Sequence, residues 1–224
     1  MKLFQPHQEI LPQAQQELWP QLRPAAGLGF VLYGGTAIAL QLGHRQSIDF
    51  DFFSERKLEK EKLWEAFPFL KNSTLLQDRE NSLTVEVREN EPVKVSFFGG
   101  LTFGRVGEPL QTNDGVLQVA SLDDLMATKL KVIFQRVEAK DYLDIAAMIK
   151  AGVSLSKGLA AAATMFGSAF QPSESLKALT YFHGGDLQQL SSEIKEALIK
   201  AANAVRNLPQ VELRARVLAS VEEC

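Results

Sequence analysis

Between Ser47 and Ser54 the chain alternates, with Ile48, Phe50 and Phe52 on one side and Asp49, Asp51 and Phe53 on the other. A period of two is the signature of a half-buried β-strand, and it sets two carboxylates side by side on the face away from the aromatic rings. Unpaired carboxylates so close to a core are costly, so the fold must give these two acids something to hold. Upstream, the apolar run Gly29 to Tyr33 ends at Gly34-Gly35, and Thr36 to Leu42 takes up helical periodicity that Gly43 closes as a left-handed cap. The unit is strand, tight turn, helix, strand. Such a turn leaves backbone N–H groups aimed at one point with the helix dipole behind them, which is where phosphate binds. The Thr36 hydroxyl is placed to add a donor.

Around this unit the sequence predicts an amphipathic helix over 7–22, a surface helix over 56–67, strands over 73–79, 82–88 and 92–98 as an antiparallel meander, and a last strand over 116–120. From Ser121 onward the periodicity is helical: 121–136, opened by a capping box of Ser121 and Asp124, then 140–150, 155–169, 173–182, 190–205 and 210–222. The expected fold is α+β, a mixed sheet with flanking helices over 1–120 and a helical bundle over 121–224. There is no internal repeat.

Composition narrows the functional classes. Twenty-four basic against 27 acidic side chains give a formal charge of −3, and 46% of residues are apolar, as in ordinary globular chains. A pI near 5.7 leaves nucleic acid only a local basic patch to bind. The single cysteine, Cys224, has no partner for an internal disulfide, and His7, His44 and His183 share no zinc-ligand spacing, so a reducing cytoplasm fits. Pro6, His7, Glu9 and Gln13 break any signal-peptide core. The uncharged stretch Pro24 to Gly43 is long enough to span a bilayer, but its five glycines argue for a globular segment rather than a membrane helix.

Asp49 and Asp51 are the natural ligands for a hard cation. Mg²⁺ takes one or two carboxylates, keeps water and accepts phosphate oxygens, so an Asp-x-Asp strand beside a phosphate-binding turn forms a self-consistent site.

The two elements together, Gly34-Gly35 followed after thirteen residues by Asp49-Phe50-Asp51, resemble the signature of the DNA polymerase β nucleotidyltransferase superfamily. Tyr33-Gly34-Gly35-Thr36-Ala37-Ile38-Ala39-Leu40 and His44-Arg45-Gln46-Ser47-Ile48-Asp49 are similar to its AbiEii/AbiGii toxin branch, in which an Arg-x-Ser, here Arg45 and Ser47, precedes the Asp-x-Asp. A second match runs through Lys129 and Arg136, seven residues apart on one helix face, to Lys140-Asp141-Tyr142-Leu143-Asp144. The resemblance implies transfer of a nucleoside monophosphate from an NTP to an acceptor hydroxyl. Asp49 and Asp51 would hold Mg²⁺, and Asp49, Asp51, Lys129 and Asp141 would form the catalytic group. Gly34, Gly35, Thr36, Arg45, Ser47, Arg136 and Asp144 would line the nucleotide. It further implies the toxin of a toxin–antitoxin pair with RNA or tRNA as acceptor, and a cognate antitoxin as partner. Capping and salt bridges are the plainer roles for Lys129, Asp141 and Asp144.

The pattern departs from the superfamily at one place. A third carboxylate is expected on the strand 92–98, and Ser96 stands there instead, with Glu86 and then Asp78 as possible substitutes. Two other readings follow: a small-molecule, antibiotic-type nucleotidyltransferase, or a degenerate fold that binds a nucleotide or a partner. Lys129, Lys131, Arg136 and Lys140 tilt the acceptor towards RNA.

Overall fold

The computed structural model describes residues 1–88 and 91–220. Glu89 and Asn90, in the turn between two expected strands, and Cys224 lie outside the described residues. Contacts divide the chain into two units. One comprises Met1–Gly104, Glu108–Ser121 and the segment from Ala215; the other comprises Arg105–Gly107 and Leu122–Arg214.

The first unit is built on eight strands: β1 (Leu3–Phe4), β2 (Val31–Tyr33), β3 (Asp49–Phe53), β4 (Thr74–Arg79), β5 (Ser82–Arg88), β6 (Pro92–Phe98), β7 (Leu110–Thr112) and β8 (Gln118–Val119). They form one mixed sheet in the order β1-β7-β8-β2-β3-β6-β5-β4. The expected meander is present as β4, β5 and β6, antiparallel throughout. β1 and β7, of two and three residues, are too short to show a period in the sequence. Helices α1 (Gln13–Leu18), α2 (Pro24–Gly27), α3 (Gly34–Leu42) and α4 (Lys60–Ala66) complete the unit.

β3 is central, antiparallel to β2 and parallel to β6. Its alternation sorts the sheet into two faces. Phe50 and Phe52 are fully buried on one side, where Phe52 stacks on Phe97 of β6 at 5.3 Å and Trp19 leans on Phe50. Burying such a ring contributes roughly 1.5–3 kcal/mol. Asp49 and Asp51 point to the other side. Ile48 does not share the aromatic face: β3 begins one residue later and Ile48 is 59% exposed.

The second unit is helical: α5 (Leu122–Val132), α6 (Ala139–Lys150), α7 (Leu155–Phe166), α8 (Pro172–Thr180) and α9 (Ser192–Ala204). The small face of α7 lets it lie close to α5, and a Cβ on Gly158 would run into Met126. Ser154 and Ser191 cap α7 and α9 through the N–H groups of Lys157 and Ile194. The Asp124 carboxylate, expected to serve a capping box, accepts from the loop N–H groups of Val106 and Gly107, which ties Arg105–Gly107 to the helices.

The helix expected over 210–222 is not formed across the described residues 210–220. Burial there alternates residue by residue from Val211 to Val217, matching the apolar-polar alternation of Val211-Glu212-Leu213-Arg214-Ala215-Arg216-Val217, a strand-like period of two. The N–H of Leu218 is taken by the Glu55 carboxylate and that of Ser220 by the Gln118 side chain, so the part from Ala215 belongs with the sheet unit, while the Val211 carbonyl accepts from Thr164 of α7. Among the described residues no helix is long and apolar enough to cross a membrane.

Candidate active site

The turn from β2 into α3 sets the site. Gly34 has φ +75°, which favours glycine, and a Cβ there would lie 2.8 Å from Asp51 Oδ2. The Asp51 carboxylate therefore rests directly over the turn. A Cβ on Gly35 would collide with the Arg45 guanidinium and sit 3.2 Å from Ser47 Oγ. Gly34 and Gly35 are what allow Asp51, Arg45 and Ser47 to close around one stretch of backbone. Arg45 is held in place by its own Nη1, which donates to the Gln46 carbonyl at 2.7 Å.

Thr36, expected to offer its hydroxyl to a ligand, is buried and committed to the protein. Its Oγ1 lies 2.8 Å from Ser47 Oγ and donates to the backbone carbonyl of Asp49. The effect is to pin the start of β3 to α3 and fix where Asp49 emerges.

Register places the other members of this face. Asp49 pairs with Lys94 and Asp51 with Ser96 across β3 and β6, while Lys94 pairs with Glu86 and Ser96 with Thr84 across β6 and β5. Partners in a ladder share a face, so Asp51-Ser96-Thr84 and Asp49-Lys94-Glu86 form two adjacent rows. Lys94 Nζ is 3.0 Å from Asp49 Oδ2. Glu86, considered above as the third carboxylate, is two strands from β3, with Lys94 between, and its carboxylate pairs with Arg88. Asp78 is on β4 and pairs with Lys60. Among the described residues no three His, Cys, Asp or Glu side chains gather as a metal cluster. Asp49 and Asp51 are thus a pair of hard oxygen donors that suits an ion whose remaining ligands are water and phosphate.

In the helical unit, the matched residues form a charged cluster. Lys129 Nζ lies 2.6 Å from Asp141 Oδ1 and 2.7 Å from Asp144 Oδ2. Arg136 clamps Asp141 through Nε at 2.8 Å and Nη2 at 3.1 Å. Helical spacing accounts for this: Asp141 and Asp144, three residues apart on α6, face one way. Burial by itself would push the Asp141 carboxyl up, but the Arg136 hydrogen bonds and the Lys129 charge outweigh it and hold it below the ordinary range. Lys129 is not the exposed cation that a lysine on a charged helix suggests, since only 5% of it reaches solvent. Arg136, half exposed, is the open member of the cluster.

A model of one protein family matches residues 21–202, from before the turn to the end of the helices: the nucleotidyl transferase AbiEii toxin of type IV toxin–antitoxin systems. The chain belongs to the AbiEii family. An uncharacterized protein of Aquifex aeolicus is 30% identical over 118 residues, 52% of this chain, and the chain spans about half, 55%, of that relative's length. Among solved structures, the nucleotidyltransferase toxin MenT4 of Mycobacterium tuberculosis aligns with a TM-score of 0.54 at 14% identity, covering 85% of this chain and 86% of that one. An antigenic nucleotidyltransferase-like protein from Paracoccidioides brasiliensis gives 0.52 at 18% identity over 88% and 94%. A nucleotidyltransferase from H. pylori gives 0.50 at 19% over 84% and 91%. At these identities the structural likeness speaks for the fold alone, a nucleotidyltransferase-type α+β arrangement.

Lys94 is not among the residues that carry the family resemblance. Its face was readable, because it alternates with Val93 and Val95 two residues before Ser96, but its partner depends on the β3–β6 register, which no local signal fixes.

Proposed function

We propose that the sheet unit carries out nucleotidyl transfer, moving a nucleoside monophosphate from an NTP to an acceptor hydroxyl with release of pyrophosphate, as the toxin of a pair with a cognate antitoxin. The observation that carries this reading is the seating of the Asp51 carboxylate over Gly34, with Arg45 and Ser47 over Gly35. Donors for phosphate and ligands for its cation then converge on one turn. Asp49 and Asp51 would hold Mg²⁺, which supplies charge neutralisation at the reacting phosphate when bound. Gly34 and Gly35 bring the backbone close, Arg45 offers a planar cation to phosphate oxygens, and Thr36 with Ser47 fixes the start of β3.

Phosphoryl-type transfer needs positioning and charge more than covalent chemistry, and this residue set provides both. In the helical unit Asp141, itself paired with Lys129, holds Arg136, which keeps access to solvent and is open to a phosphate of the acceptor. RNA, tRNA included, is the acceptor we favour, because Lys131, Arg136 and Lys140 add positive charge to an otherwise acidic chain.

A second reading, nucleotide binding with slow or absent transfer, is favoured by Ser96, which stands where a third acid is expected. Labelled-NTP incorporation into total small RNA, with Mg²⁺ and with EDTA, separates the two. Incorporation by wild-type protein and none by Asp51→Asn supports transfer. Equal labelling by both proteins overturns the assignment of this site, and NTP binding without labelling leaves the binding-only reading.

A further inference from the structure

The ion pair between Lys94 and Asp49 is built into the sheet and is open to exchange. Parallel register puts the two residues opposite each other on β3 and β6, and the Thr36 hydroxyl fixes the backbone of Asp49. Both side chains keep partial access to solvent, 42% for Lys94 and 26% for Asp49. Neighbours do not compete for the ammonium. Glu86, next along the row, is engaged by Arg88, and Ser96, next along β6 on this face, is neutral.

A free divalent cation approaching this face meets the two carboxylates together with the Lys94 ammonium and, over Gly35, the Arg45 guanidinium, so no net negative charge draws it in. To reach Asp49 Oδ2 it must displace Lys94 and leave that charge unpaired beside a doubly positive ion. A cation that arrives with an NTP brings its own acceptors, since phosphate oxygens can take the ammonium as Asp49 turns to the metal. The exchange costs little because a partly exposed ion pair is weak. In a site with an acid at position 96, metal would load more readily on its own; with Ser96 and Lys94 the balance shifts towards joint entry.

We propose that Lys94 is the residue that couples metal binding to nucleotide binding: its ammonium guards Asp49 against a free divalent cation and turns to the phosphates when the cation arrives with an NTP. This rests on the nucleotidyltransferase reading of the site. Lys94 is here a positioning residue for the cation and a phosphate contact for the nucleotide.

The test is Mn²⁺ binding followed by the electron paramagnetic resonance of the free ion. Wild-type, Lys94→Met, Lys94→Gln and Lys94→Arg proteins are each titrated with and without an α,β-methylene NTP that cannot be transferred. Without nucleotide, the Met and Gln variants should bind Mn²⁺ roughly five-fold or more tightly than wild type, the Arg variant like wild type. With nucleotide, that advantage should disappear or reverse. Equal Mn²⁺ affinity of wild type and both neutral variants in the absence of nucleotide overturns the coupling role while leaving transfer untouched. If no variant binds Mn²⁺ even with the nucleotide, the metal assignment of the site fails, and this inference with it.

Discussion

Asp51 and Ser96 stand opposite each other in register on the parallel strands β3 and β6, a carboxylate beside a buried hydroxyl. The neighbouring strand adds Thr84 to the same row, so the direction in which a third acid would close the proposed cation site is lined with neutral hydroxyls.

Ser96→Asp should therefore carry a cost and a gain. Without metal, two carboxylates facing each other across a parallel pair repel, and the buried position deepens the penalty, so the melting temperature should fall. Mn²⁺ or Mg²⁺ should restore it, because the enlarged acid set now binds the ion without help. Melting curves with and without metal check this, and labelled-NTP incorporation should rise. A melting temperature that stays low in metal would show that position 96 does not face the cation.

Lys129→Ala should destabilise the helical unit substantially. Exposed charges contribute only about 0–1 kcal/mol, whereas removing one partner of a buried ion cluster costs about 3–5 kcal/mol. Lys129 lies between two carboxylates that have no access to solvent. Urea unfolding followed by circular dichroism measures the loss. Lys129→Ala combined with Asp144→Asn should recover part of it by removing one stranded charge, and simple additivity of the two losses would contradict the cluster.

Much of this was written in the chain, and the parts that were not share a cause. The β3 faces, the tight turn and the Asp141/Asp144 pair followed from periods of two and 3.6, which are local properties. Lys94 beside Asp49 depends on which strand pairs with which and in what register. The burial of Lys129 depends on how α5 meets α6. The 210–220 segment carries a strand-like signal, since Val211 to Val217 alternates apolar with polar, although it follows a run of helices. Its course depends on distant partners: Thr164 donates to the Val211 carbonyl, the Arg214 N–H donates to the Arg105 carbonyl, and Glu55 and Gln118 take the N–H groups of Leu218 and Ser220.

Stability of the helical unit should fall on the acid side in a way that Asp141 controls. Its folded carboxyl is held below the ordinary value, so its contribution is fully present above the unfolded value, near ~3.9, and is lost as pH falls through the depressed folded value. Asp141→Asn removes that proton uptake. The stability difference between wild type and Asp141→Asn, read from urea midpoints at pH 7, 5 and 3, should be largest at pH 7 and 5 and shrink at pH 3. A difference independent of pH would mean that Asp141 contributes by packing alone.

The α1 residue Gln15 offers a gain in stability. It is 1% exposed, and neither its Nε2 nor its Oε1 has a hydrogen-bond partner among the described residues. α1 packs against β6, whose inward side chains on the aromatic face are Val93, Val95 and Phe97. An amide buried without partners costs about 1–3 kcal/mol, and an apolar side chain of the same length removes that cost without opening a cavity. Gln15→Met should therefore stabilise the protein by about 1–2 kcal/mol, with a rise in melting temperature of roughly 2–8 °C for a chain of this size. Nucleotide binding should not change, because the residue lies under the aromatic face of the sheet and the carboxylates are on the other. Chemical denaturation of both proteins reads the outcome, and a loss of stability in the Met variant would mean that ordered water satisfies the amide.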